Sequence, residues 1–177
     1  MLIRTAVTLL AATVGAATLA LAQVTKETVP GITNFARLET TVACGGTITP
    51  SAVAELKQRG YKSVFDLQLP DEKGADVPGE AAAAKAAGIT FVHVPFTPAK
   101  PDTASVDTFL KEVSKPANEP AFIHCAGANR AAGFWMIKRV LVDKWEIDKA
   151  QTEAESLGLS SAPMKQFAID YIQAHKH

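Results

Sequence analysis

The run Ala121-Phe122-Ile123-His124-Cys125-Ala126-Gly127-Ala128-Asn129-Arg130-Ala131-Ala132-Gly133 constrains this chain more than any other stretch. An apolar segment of strand length leads into His124-Cys125. A loop of small residues follows, Arg130 closes it, and an apolar helix begins. Small loop residues let backbone N–H groups turn inward at a helix N-terminus, where an anion is favoured. A cysteine at that place has its thiolate stabilised by the same partial positive charge. Arg130 adds a planar, permanently charged fork that suits a bidentate oxyanion. A thiolate facing a tetrahedral anion held by amides and arginine points to nucleophilic chemistry on that anion.

The rest of the chain supplies a scaffold for such a loop. Apolar runs at 63–67 and 89–94 have strand length, and residues 34–44 read as strand material around a polar break at Glu39. Helical spacing or composition marks 80–87, 103–113, 147–157 and 163–174, and the segment after Arg130 is apolar around most of its girth. Thr49-Pro50 predicts a helix start, a hydroxyl N-cap followed by proline in the first turn. The polar stretch 70–79, with Asp71, Glu72, Lys73 and Asp76, reads as a solvated loop. Strands alternating with helices predict an α/β fold with a mostly parallel central sheet flanked by helices. Ligands of such sheets sit at the C-terminal ends of strands, which is where the Cys125 loop lies.

Residues 1–22 are expected to lie outside that fold. A short basic start with Arg4, an apolar stretch and Ala20-Leu21-Ala22 predict a secretory signal cleaved before Gln23, and hence a periplasmic or secreted protein. Residues 23–33 then form an extended leader and 34–177 a single domain. The chain carries 18 basic and 18 acidic residues, so neither a nucleic-acid footprint nor a polybasic membrane patch is expected. No membrane association is expected after signal cleavage. Two cysteines, Cys44 and Cys125, in an oxidising compartment leave two readings open: separate thiols, or a pair acting as a redox switch. The two cysteines and four histidines lack metal-ligand spacing, so neither metal nor cofactor is expected.

Over about residues 34–160 the chain resembles the protein tyrosine and dual-specificity phosphatase superfamily, and within it the bacterial beta-lactamase hydrolase-like phosphatase-like domain. The resemblance rests on Cys44-Gly45-Gly46-Thr47-Ile48-Thr49-Pro50, on Val64-Phe65-Asp66-Leu67-Gln68, on the 89–95 strand and on His124-Cys125 with Arg130, all in the same order. It implies a dual-specificity-phosphatase-like fold with a Cys-x4-Arg anion-binding loop between a strand and a helix. Cys125 would be the nucleophile that becomes a phospho-cysteine, and Arg130 would clamp the phosphate. Amides of Ala126, Gly127, Ala128 and Asn129 would cradle its oxygens, and His124 would hydrogen-bond near Cys125 and help hold its thiolate. The substrate would be a phosphomonoester or another small anion.

Four departures from the superfamily pattern qualify that implication. Four residues separate Cys125 from Arg130 rather than five, a loop length shared with rhodanese-like sulfurtransferases. Ala131 stands where a hydroxyl usually assists breakdown of the cysteinyl intermediate, and Gln68 where relatives of this subgroup often have Arg. In the loop that supplies the superfamily's general acid the available carboxyl is Asp102, which better suits a helix N-cap; Asp66, Asp71 and Asp76 are substitutes. The alternatives to a phosphatase are therefore a sulfurtransferase or thiol-redox protein, and a non-catalytic module that binds an anion or a partner on the same fold.

Overall fold

The computed structural model describes residues 23–176; the signal-peptide expectation for 1–22 lies outside them. Six strands form one sheet in the order β1-β2-β3-β6-β4-β5: β1 Val24–Lys26, β2 Ala36–Leu38, β3 Val42–Gly45, β4 Ser63–Asp66, β5 Thr90–His93 and β6 Ala121–His124. β1 to β3 form an antiparallel meander, whereas β3, β6, β4 and β5 run parallel. The helices are α1 Ala52–Gln58, α2 Val77–Ala87, α3 Thr103–Val113, α4 Asn129–Leu141, α5 Ile147–Leu157 and α6 Ala162–His175, with a short 3-10 turn at Pro116–Asn118.

Three of the inner strands, β3, β6 and β4, are buried on both faces, and their alternation sorts the core. Cys44, Phe65, Leu67, Ile123 and Cys125 join the larger cluster under α3 to α6. Ala43, Val64 and Phe122 face the smaller cluster under α1 and α2. α4 is the central helix of the larger side. Residues 131 to 137 are all buried, because one face meets the sheet while α5 and α6 cover the others. The Trp135 indole N–H donates to Glu153 at 2.8 Å and Arg139 Nε to the same carboxylate at 2.7 Å, so the one buried acid of α5 is neutralised where it docks on α4.

Two details of the chain differ from the sequence reading. Residues 23–33, read as a leader, supply the edge strand β1 and place Val29 and Ile32 in the smaller core, with Glu27 paired to Arg37 and Arg59. A short edge strand carries too few residues to show period-two patterning. The helix expected to start at Thr49-Pro50 begins at Ala52, and Thr49 instead closes a turn through its carbonyl to Ala52 N. Asp102 caps α3, accepting from Ala104 N at 3.0 Å, and Asp76 caps α2, accepting from Gly79 N at 3.1 Å.

Candidate active site

Cys125 leaves the C-terminal end of β6, and four residues later Arg130 sits in the first turn of α4. The intervening loop is braced from β3. The Ala126 carbonyl accepts from Thr47 N at 3.2 Å, Gly46 bridges Gly127, and Cys125 N donates to Gly45 O at 3.3 Å. Gly46 is required here, since a Cβ on it would stand 2.9 Å from the Ala126 carbonyl oxygen and 2.3 Å from Thr33 Oγ1. The loop then turns through Ala128, whose φ of 74° is left-handed, and enters the helix. Asn129 ties it to the connection between α5 and α6, its side-chain oxygen accepting from Ser160 N at 2.7 Å and Ser161 N at 2.6 Å. The loop is thus held from both sides, by β3 and by the α5–α6 turn.

Arg130 is anchored by an acid that the sequence reading left in solvent. Its Nη1 and Nη2 donate to the two carboxylate oxygens of Glu72, each at 2.6 Å. Nη1 also reaches the carbonyls of Leu67 at 3.0 Å and Phe96 at 2.8 Å. Burial works against the Glu72 charge, but the Arg130 hydrogen bonds and charge outweigh it and hold the carboxyl below its ordinary range. Arg130 is likewise desolvated, yet Glu72 and the adjacent Cys125 push its pKa up. All of these bonds use Nη1 and Nη2, which leaves the Nε edge of the guanidinium for another oxyanion. Nothing in the local sequence marked Glu72, because its partner is 58 residues away. The usable signal was an acid in the loop that leaves the C-terminal end of β4, where ligands of parallel sheets collect.

A pocket of about 390 Å³ opens over this group, with Glu72, Thr97, Pro98, Ser161 and Met164 around Cys125, Ala126, Gly127, Asn129 and Arg130. Cys125, Arg130 and most of the predicted cradle therefore share one cavity. Ala128 lines instead a larger groove, of about 540 Å³, behind the loop with Lys26, Asn34 and Ser160. Asp102 is not among the lining residues, and its carboxylate is committed to capping α3. Ala131 is fully buried beneath the loop.

His124 does not hold the thiolate. Neighbours on a strand point to opposite faces, so Cys125 turns to the α4 side and His124 to the α2 side. The His124 ring stacks with Phe122, 5.7 Å between centroids, and its Nε2 lies 3.0 Å from Glu80 Oε2 and 3.7 Å from Asp66 Oδ1. Asp66 is wholly buried on the same side as His124 and is not among the residues lining the pocket. Asp71 is exposed on the loop. Cys44 is a buried free thiol whose pKa burial pushes up, and Cys125 is also free.

Comparisons with known proteins bear on the fold and the family. Residues 16–169 match the family model described as "DSP-PTPase phosphatase fused to NAD+ Kinase". No curated protein matches the chain. Among solved structures, a putative phosphatase of Shewanella putrefaciens CN-32 superposes with a TM-score of 0.67 at 20% identity, covering 82% of this chain and 95% of that one. Pseudomonas aeruginosa TpbA gives 0.63 at 23% identity, with 89% and 92% covered. The core catalytic domain of the Saccharomyces cerevisiae PP-IP phosphatase SIW14, solved with citrate, gives 0.62 at 19% identity, with 83% and 93% covered. At these identities the structural likeness establishes the fold, and the family model, which spans most of the chain, establishes the kinship. The chain belongs to the DSP-PTPase family described by that model, within the tyrosine and dual-specificity phosphatase superfamily.

Proposed function

We propose that this protein is an exported cysteine-dependent phosphatase that hydrolyses a phosphomonoester through a phospho-cysteine. The observation that carries the reading is the shared pocket of Cys125 and Arg130, with Arg130 fixed by Glu72. The phosphate would sit on the loop amides and the free Nε edge of Arg130. The Cys125 thiolate would attack phosphorus as the P–O bond to the leaving group breaks, and water would then cleave the P–S bond to release phosphate. Structures of TpbA with phosphotyrosine and of SIW14 with citrate, both relatives in fold, support a small phosphate-bearing or anionic substrate. Export is supported by the composition of residues 1–22.

The pocket also suggests which phosphates turn over fastest. Its lining carboxylate is Glu72, held ionised by Arg130 and so unsuited to donating a proton. Leaving groups that depart as stable anions, such as aryl oxides, are therefore favoured over alkoxides. The deciding experiment compares the reduced wild-type protein with Cys125→Ser on an aryl phosphate. Phosphate release that vanishes in Cys125→Ser supports the proposal, and release that survives the substitution, or is absent from both proteins, overturns it.

A further inference from the structure

Behind the nucleophile loop, on the opposite face of the sheet, three ionisable side chains meet with no exposure to solvent. Asp66 comes from the end of β4, Glu80 from α2 and His124 from the end of β6, and all are fully buried. Five of their polar atoms, Asp66 Oδ2, both Glu80 oxygens and both His124 nitrogens, have no hydrogen-bond partner. Buried polar groups are almost always satisfied, and an unpaired buried carboxylate is among the costliest features a fold can carry. Here two carboxylates lie against a single imidazole. His124 Nε2 stands 3.0 Å from Glu80 Oε2 with no hydrogen bond between them, so the ring abuts the carboxylates without being bonded to them.

We propose that Asp66, Glu80 and His124 bind one divalent transition-metal cation of the Zn²⁺ type. Carboxylate oxygen and imidazole nitrogen are ordinary donors to such an ion, and the ion supplies the positive charge that two buried carboxylates lack. With metal–ligand bonds of about 2.1 Å and tetrahedral angles, neighbouring donors stand about 3.4 Å apart. The His124 separations of 3.0 Å to Glu80 and 3.7 Å to Asp66 bracket that spacing, and one donor atom from each residue lies within 4.8 Å of the others. His93, partly exposed and with Nε2 at 4.0 Å from Asp66 Oδ2, spends that nitrogen on the Gln68 carbonyl at 2.9 Å and stays outside the ligand set. The linear sequence hid this set because its members come from three elements joined only by the fold. The ion would tie α2, β4 and β6 together directly behind Cys125, as a structural clamp rather than a participant in phosphate chemistry.

The test reads metal directly, so it stands or falls apart from the phosphatase reading. The purified protein is stripped with a chelator, then titrated with Zn²⁺ by calorimetry and with Co²⁺ by visible absorption. The expected result is one equivalent bound, a rise in melting temperature, and a Co²⁺ spectrum without a thiolate charge-transfer band. Glu80→Gln, which keeps the side-chain shape, should weaken binding by at least about tenfold, as should Asp66→Asn, while Cys125→Ser should leave it unchanged. If one carboxamide variant fails to fold, the other and the wild-type Co²⁺ spectrum still decide. Absence of stoichiometric binding to folded wild type would show that protons alone settle the cluster. A thiolate band, or binding lost in Cys125→Ser, would place the metal on the nucleophile. Either outcome overturns the proposal.

Discussion

Glu72 and Arg130 make the strongest test of the site at the level of single residues. Their bidentate pair is only partly exposed, with 11% of the Arg130 side chain and 22% of the Glu72 side chain accessible. Glu72→Gln should cost about 1.5–3 kcal/mol in stability, the range for hydrogen bonds to charged groups, and should lower kcat/KM because Arg130 loses its brace; urea unfolding and steady-state kinetics read the two effects. The pH dependence has a definite sign. The Glu72 carboxyl titrates lower folded than unfolded, so its contribution is present above the unfolded value of about 4.3 and disappears as pH falls through the lower, folded value. Wild type should therefore lose this increment of stability in acid, and Glu72→Gln should not show that component. Ala131 permits a gain-of-function experiment. It lies buried without a hydroxyl, so release of the aryl alcohol should show a burst while phosphate appears only at the slow rate, and Ala131→Ser should speed the slow phase. Equal burst and steady rates in the wild type would contradict that account.

Among the elements, the α5–α6 turn governs the loop more than its sequence suggests. Gly158 has a φ of 125°, and a Cβ there would stand 2.9 Å from Ala128 Cβ, inside the left-handed bend that opens α4. Gly158→Ala should destabilise by about 1–3 kcal/mol from the backbone alone, and should also raise KM because Ala128 must move. A thermal melt and a KM measured on an aryl phosphate separate the two effects. Several elements were legible from local signals: α3 and α5 begin and end where their caps and spacing placed them, with Asp102 and Gly158 at the boundaries. β1 was not legible. Three residues with only partial burial carry no period-two pattern, and the pairing that makes them a strand comes from β2.

For the whole molecule, the proposed anion site couples to global stability. A ligand that binds only the folded state at about 100 times its Kd adds roughly 2.7 kcal/mol, which for a domain of this size raises Tm by roughly 5–10 °C. Phosphate or vanadate should produce such a shift in wild type and little in Arg130→Ala, read by calorimetry. The sequence by itself determined the alternation of strands and helices, the mostly parallel sheet, and the meeting of Cys125 with Arg130. These are consequences of periodicity, capping and a loop only four residues long. Only the tertiary structure decided which partners those residues have. Glu72 reaches Arg130 across 58 positions, His124 turns from Cys125 to Glu80, and Asp102 is spent on a helix cap. The physical reason is that side-chain facing follows from local geometry once a strand is placed, whereas contact across the sheet depends on how separate elements dock. That docking is set by the packing of the two cores rather than by any local pattern.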